Sequence, residues 1–189
     1  MLPFVIVLAC LLLFLSAGFL WGYLRTRNRA RDAAALITTV AETEVQALAA
    51  DCVQVFREKL SLELALDQPE AAAQILEAAL ARQSAMKTVT AFERHGHTGW
   101  YAKAIGAFLG ELIRGNSKAH WIPAKGGGLA LVIGQEPDTM TLHPFDKIIK
   151  QYAIGNPGDI AMYVKVAIGG PAMLAAARKT ELPELPKAV

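Results

Sequence analysis

The sequence predicts an α+β protein in which a transmembrane helix and a long helical hairpin precede a small antiparallel sheet flanked by helices. Three observations support this prediction. Residues 2–24 contain no charged side chain. Residues 32–66 contain neither glycine nor proline and repeat apolar side chains at steps of three and four, which is the spacing of one helix face. After Asn116 the chain changes to short apolar runs separated by glycine and charged residues, as in strands and turns.

The first element is a predicted transmembrane anchor, residues 1–24. About 20 apolar residues at about 1.5 Å each cross a hydrocarbon layer of about 30 Å, whereas the apolar core of a signal peptide has only about 7–15 residues. Trp21 and Tyr23 fall near its end, where aromatic side chains favour the level of the lipid headgroups. Cleavage after Ser16-Ala17-Gly18 and lipidation at Cys10 are weaker alternatives, because no basic residue precedes the apolar run and bulky Leu8 stands close before the cysteine.

A basic juxtamembrane segment, residues 25–31, follows directly. Basic residues beside a membrane segment are retained on the cytoplasmic side, and each attracts anionic lipid by about 1 kcal/mol. We therefore expect a single-pass protein of a bacterial inner membrane with its soluble domain in the cytoplasm. The residues expected at the membrane surface are Trp21, Tyr23, Arg25, Arg27, Arg29 and Arg31.

The charge balance argues against a nucleic-acid partner. The chain carries 19 basic and 17 acidic residues, but four of the basic residues lie in the juxtamembrane segment, so acidic residues predominate in the remainder. A nucleic-acid-binding domain would instead carry a clustered basic face. The expected partners are the lipid bilayer and other membrane or envelope proteins.

Residues 32–98 are predicted to form a helical hairpin. The sequence Asp67-Gln68-Pro69-Glu70 ends one helix and starts the next, which runs to about Arg94. The apolar stripes of the two helices have two interpretations: they face each other, or they form a docking surface for another subunit. The candidate partner-binding residues on the first stripe are Ile37, Val45, Leu48 and Phe56.

Residues 99–178 are predicted to form the α+β domain, and residues 179–189 a flexible tail. A helix over Trp100–Arg114 comes first, and the apolar runs that follow predict three antiparallel strands. Two helices come next, and Gly169-Gly170-Pro171 is expected to break the chain before a short alanine-rich helix. The predicted strands are His120–Pro123, Leu129–Ile133 and Met140–His143, and the two helices are Pro144–Ile154 and Asp159–Ile168.

The first helix of this domain carries the most informative motif, Gly106-x-x-x-Gly110-Glu111. A helical glycine costs about 1 kcal/mol relative to alanine, so two of them indicate a close packing contact. Glu111 follows in an otherwise apolar segment and is expected to be partly buried. It must then be paired, with Lys147 or Lys150 as candidate partners, or titrate abnormally. A structural ion pair is the simpler interpretation, and a catalytic carboxylate is the alternative.

Other candidate sites give weaker signals. Lys125-Gly126-Gly127-Gly128 has its lysine before the glycines and a strand after them, which indicates a hairpin turn rather than a phosphate-binding loop. His95 and His97, with His120 or His143, do not form a recognisable set of metal ligands. We therefore expect neither a metal nor a cofactor.

The arrangement from Ala102 to Ile168 resembles a small bacterial α+β domain family of unknown function. The resemblance is carried by Gly106-x-x-x-Gly110-Glu111, by Trp121 before a strand, by Leu142-His143-Pro144-Phe145, and by Lys147 and Lys150 in the helix after it. It implies an α+β module and brings no catalytic residue or ligand with it.

These observations lead to two functional hypotheses. The first is a membrane-anchored, non-enzymatic interaction module, an accessory or scaffold subunit of a bacterial envelope assembly. The second is a membrane-tethered enzyme or ligand sensor that uses a cleft around Glu111, His120 and His143. An exposed apolar strip along Ile37–Leu60 would favour the first hypothesis. A buried Glu111 facing a histidine across an open pocket would favour the second.

Overall fold

The computed structural model describes residues 40–85, 98–125, 127–154 and 156–181. The predicted anchor, the basic segment, Ile37, His95 and His97 lie outside the described residues. The described chain is α+β, with five helices and one three-stranded sheet. Its elements are α1 Glu42–Leu60, α2 Pro69–Ala85, α3 Thr98–Asn116, β1 Ala119–Pro123, β2 Leu129–Gln135, β3 Asp138–Leu142, α4 Pro144–Ile154 and α5 Asp159–Glu181.

The sheet is antiparallel throughout, in the order β1-β2-β3, as the sequence predicts. Trp121 pairs with Leu131, and Leu131 with Leu142, so these three side chains lie on one face. The turn between β1 and β2 is closed by a hydrogen bond from Ala124 N to Gly128 O of 3.1 Å. The glycine-rich segment is therefore a hairpin turn, as its sequence indicates.

The hydrophobic core is centred on α3. Its side chains Ile105, Phe108 and Leu112 are almost completely buried, and the helix contacts every other helix as well as β1. α1 packs mainly against α3, while α2 packs mainly against α5. The predicted pairing of the first two helices with each other is therefore wrong, because α3 takes the apolar stripe of α1. Residues on both sides of the predicted boundary at 98–99 share one core.

α1 is shorter at both ends than the helix predicted over residues 32–66. Ala41 is extended, with φ −87° and ψ 152°, so the helix begins at Glu42 and is not continuous with the chain before Val40. Ser61 adopts the left-handed conformation, with φ 54°, and Leu62 N donates to Phe56 O at 3.1 Å. The left-handed residue after a helix is usually glycine. Because serine occupies this position, the end of α1 at Leu60 could not be predicted from the sequence.

α5 continues through the predicted break at Gly169-Gly170-Pro171. A proline inside a helix removes one hydrogen bond and costs about 3 kcal/mol, which is why the sequence predicted an interruption. Packing outweighs this cost: Ile160, Val164 and Ala167 are buried in the core, and Gly170 lies against Met140. Arg178 holds the far end of the helix through an ion pair with Asp138 at 2.7 Å.

Candidate functional site

The two glycines of α3 make room for two aromatic side chains. A Cβ at Gly106 would lie 2.5 Å from Phe145 Cδ1, and a Cβ at Gly110 would overlap the indole ring of Trp121. The two rings lie against each other with centroids 5.8 Å apart and a tilt of 35°. The predicted close approach is present, and it is made mainly by aromatic side chains.

The position of Trp121 brings its indole nitrogen to Glu111. Trp121 Nε1 donates to Glu111 Oε1 at 2.9 Å, and Arg114 Nε donates to the same oxygen at 2.9 Å. Arg114 Nη2 donates to Glu111 Oε2 at 2.6 Å. The guanidinium therefore binds the carboxylate in a bidentate manner, which is the strongest arrangement for this pair of groups.

Burial distinguishes the two charged partners. The side chain of Glu111 is 8% exposed, whereas that of Arg114 is 39% exposed. The hydrogen bond to Glu111 raises the pKa of Arg114 above its ordinary value. The carboxylate is thus neutralised by a guanidinium that itself reaches solvent. The sequence predicted a buried and paired Glu111, but its partner is Arg114 rather than Lys147 or Lys150.

An open cleft of about 350 Å³ lies beside this pair. One wall comes from the beginning of α1, and the other from the end of α3 and the beginning of β1. It is lined by Glu42, Thr43, Gln46, Glu111, Arg114, Ala119, His120 and Trp121. Glu111 contributes to the wall of the cleft with both of its oxygens already accepting hydrogen bonds.

Of the two histidines expected beside Glu111, one lines the same cleft and the other does not. His120 lines the cleft together with Glu111, although it alternates with Trp121 along β1 and its exposed side chain points to the opposite face of the sheet. His143 is exposed between β3 and α4 and does not line the cleft. The structure therefore brings Trp121 and Arg114 into contact with Glu111 and His120 into the same cleft, and it leaves His143 outside.

The remaining reactive groups are placed in structural positions. Cys52 is buried in α1 against the core, and burial raises the pKa of its thiol. Lys147 pairs with Asp159 at 3.6 Å. Within the described ranges, no group of three or more His, Cys, Asp or Glu side chains could hold a metal ion.

The candidate partner-binding stripe of α1 is used for internal packing. Val45 and Phe56 are each only 1% exposed, and Leu48 is partly buried against the same core. The interpretation of this stripe as a docking surface is therefore wrong for these three residues. The apolar periodicity was correct, but it cannot distinguish a face covered by the same chain from one covered by a partner.

An apolar surface that the sequence did not predict lies on α5. Met162 is 61% exposed and Met173 70% exposed, and Val166 and Leu174 are also exposed. Among the described residues, Asp159–Arg178 is the one stretch long and apolar enough to cross a membrane by length and composition, and 22% of it is buried. The surface was missed because the expected break at Gly169 divided this helix into two short ones.

Comparison with known proteins finds no matching protein family, no matching curated protein and no matching solved structure. The resemblance over residues 102–168 therefore stays a prediction, and the functional argument depends on the geometry alone.

Proposed function

We propose that the chain is a membrane-anchored, non-enzymatic interaction module that serves as an accessory or scaffold subunit of a bacterial envelope assembly. In this proposal, residues 1–24 form the anchor in the inner membrane, and the described domain works at the cytoplasmic surface. The partners are the bilayer and other membrane or envelope proteins.

The observation that carries this proposal is the engagement of Glu111 by its own chain. A catalytic acid or base must exchange a proton with a substrate, so it needs an oxygen that a substrate can reach. Both oxygens of Glu111 accept hydrogen bonds from Arg114, and one of them also from Trp121. The carboxylate therefore serves to fix α3 against β1.

The exposed apolar side chains of α5 provide a second line of support. A contiguous apolar patch on a protein surface commonly marks a site of contact with another protein or with a membrane. The enzyme or sensor hypothesis draws on the open cleft that Glu111 and His120 line, but His143 is not part of that cleft. Both oxygens of Glu111 also accept hydrogen bonds from the chain itself, so we place this hypothesis second.

The test is extraction of the full chain at native expression level in a mild detergent, followed by sizing and mass-spectrometric identification of co-purifying proteins. We expect a stoichiometric complex for the native chain and for Glu111→Gln, which keeps the shape of the side chain. A chain that remains alone after repeated extraction and chemical crosslinking contradicts the proposal. If the Glu111→Gln variant still forms the complex but the complex has lost its biochemical activity, the enzyme hypothesis is favoured.

A further inference from the structure

The exposed apolar face of α5 extends from Met162 to Ala176. Met162, Val166 and Met173 follow each other at steps of four and seven, which places them on one side of the helix. Ala172 and Ala176 are exposed beside them, so the surface between the larger side chains is also apolar. We call this set of residues, with Leu174 at its edge, the α5 face.

The opposite side of α5 is already covered by the core. Ile160, Val164 and Ala167 are buried there, and α2, β3 and α3 pack against the helix. A helix that is apolar on all sides is normally buried or surrounded by lipid. The stretch Asp159–Arg178 of α5 has a mean hydropathy of 1.6, and only 22% of it is buried. The α5 face therefore needs a partner from outside the described domain.

Pro171, in the second half of α5, packs against the end of the sheet at which β1 begins. Glu42 and Thr43, at the start of α1, line one cleft with Ala119 at the start of β1. Ala119 pairs with Ile133, and a Cβ on the next residue, Gly134, would lie 3.2 Å from Pro171 Cβ. Pro171 follows Ala167 by four residues, so this contact is made by the core-facing side of α5, opposite the α5 face.

The connection to the proposed anchor is short. Residues 25–39 separate the predicted transmembrane segment from Val40, and 15 residues reach about 50 Å when fully extended. The domain therefore remains within about its own dimensions of the bilayer. Exposed Lys165 lies on α5 beside the α5 face, and its charge complements an anionic lipid surface.

We infer that the α5 face lies on the lipid bilayer, with α5 parallel to the membrane and its methionine, valine and leucine side chains at the boundary of the hydrocarbon layer. This inference rests on the membrane anchoring in the proposed function and names the lipid surface as the partner of this face. The contact gives the domain a fixed orientation on the membrane.

The experiment measures the depth of labels on the full chain in nanodiscs of phosphatidylethanolamine and phosphatidylglycerol. Cys10 is replaced by serine, buried Cys52 is kept, and one nitroxide is attached to a cysteine at Met162, at Met173 or, as the control, at exposed Asp51 on α1. Relaxation of the nitroxide by oxygen, which concentrates in lipid, is compared with relaxation by a water-soluble nickel chelate. Each disc contains one chain.

We expect the labels at Met162 and Met173 to be relaxed several-fold more by oxygen than by the nickel chelate, with similar depths for both. The label at Asp51 gives the opposite ratio. The two methionines are 11 residues apart, or about 16 Å along a helix, so equal depths require a helix parallel to the membrane.

Three outcomes overturn the inference. Labels at both methionines that behave like the Asp51 label place the α5 face in water. One deep and one shallow label indicate a helix that crosses the bilayer. Spin–spin broadening in discs loaded with two chains, together with low accessibility to both relaxants, assigns the α5 face to a second copy. Each of these results leaves the co-purification test unaffected, so the failure of this inference can be distinguished from the failure of the proposed function.

Discussion

At the scale of single residues, Glu111 connects two elements that are adjacent in the chain but differ in type. It lies on α3 and accepts hydrogen bonds from Arg114 one turn later and from Trp121 on β1. A buried carboxylate is tolerated only where its hydrogen bonds and charge are satisfied, and both conditions are met here. The exposed fraction of Arg114 lets the pair form without removing both charges from water.

Replacing Glu111 by alanine tests this structural role. The buried Trp121 N–H then loses its acceptor, which costs about 1–3 kcal/mol of the free energy of unfolding. Denaturant unfolding of the full chain in mild detergent, followed by circular dichroism, measures the change. The control is Glu58→Ala on the exposed side of α1, which we expect to change the free energy by less than about 0.5 kcal/mol. Equal effects of the two substitutions would contradict a structural role for Glu111.

The Cys52 thiol is expected to be inert in the folded protein. Burial raises its pKa, so the thiol stays protonated at a pH where an exposed cysteine has begun to ionise, and the thiolate is the reactive form. In a Cys10→Ser background at pH 8, iodoacetamide should modify Cys52 only after denaturant is added, as read by intact mass. Complete modification at the same rate without denaturant would show that α1 separates readily from α3.

The burial of Glu111 could be predicted from the sequence, but its partner could not. Glu111 lies in a segment of α3 that faces the core, and the periodicity of the apolar residues around it predicts this. These residues are Ile105, Phe108, Leu109 and Leu112. Spacing also permits the pair with Arg114, three residues later in the same helix. Lys147 was an equally reasonable candidate on charge alone, and it is paired with Asp159 because the start of α5 lies beside α4.

At the scale of elements, the close contact of α3 with β1 and α4 depends on the absence of two side chains. Gly106 and Gly110 lie one turn apart, and the rings of Phe145 and Trp121 occupy the space where side chains would be. The helix therefore gives up about 1 kcal/mol of intrinsic helical preference for each glycine and gains the burial of two aromatic side chains.

Gly110→Ala should be destabilising by about 1–3 kcal/mol, because the added methyl group forces the Trp121 ring away from α3 and from Glu111. The same substitution at Gly115, later in α3, has no neighbouring atom within 4 Å and is expected to be neutral or slightly stabilising. Thermal unfolding of both full-length variants in detergent gives the comparison. A Gly115→Ala variant as unstable as Gly110→Ala would contradict the assignment of the effect to the contact between Gly110 and Trp121.

The sequence correctly predicted those elements whose first or last residues are types that start or end a helix or form a turn, such as proline, asparagine and glycine. Pro144 begins α4, the turn at Asn156-Pro157-Gly158 separates α4 from α5, and the three strands pair in the predicted antiparallel arrangement. Two of the errors concern positions where tertiary packing overrides local preference. Ser61 is left-handed without being glycine, and Pro171 lies inside a helix because the surrounding contacts of α5 compensate for it.

At the scale of the whole molecule, α3 makes the described domain one unit. Because α1 packs against α3, and α3 also contacts α4, α5 and β1, no described helix has a core of its own. The sequence could not reveal this arrangement, since an apolar stripe on α1 specifies that it is covered but not which later element covers it.

This shared core predicts a single unfolding transition. Phe56→Leu in α1 should lower the free energy of unfolding by about 1–3 kcal/mol through the loss of buried aromatic contacts. In the full chain, the midpoint should shift equally whether it is followed by helical circular dichroism or by tryptophan fluorescence, which includes the signal from Trp121 on the sheet. A shift seen only by circular dichroism would indicate that α1 unfolds separately.

The packing of α1 against α3 also has a consequence for synthesis. α1 is complete at Leu60, but its partner ends at Asn116, so at about 5–20 residues per second the ribosome leaves the apolar stripe of α1 uncovered for several seconds. In ribosome-bound chains that end before Thr98, Cys52 should therefore react with iodoacetamide, and in chains that extend well past α5 it should be protected. During that interval the exposed apolar stripe of α1 is a site at which nascent chains can aggregate.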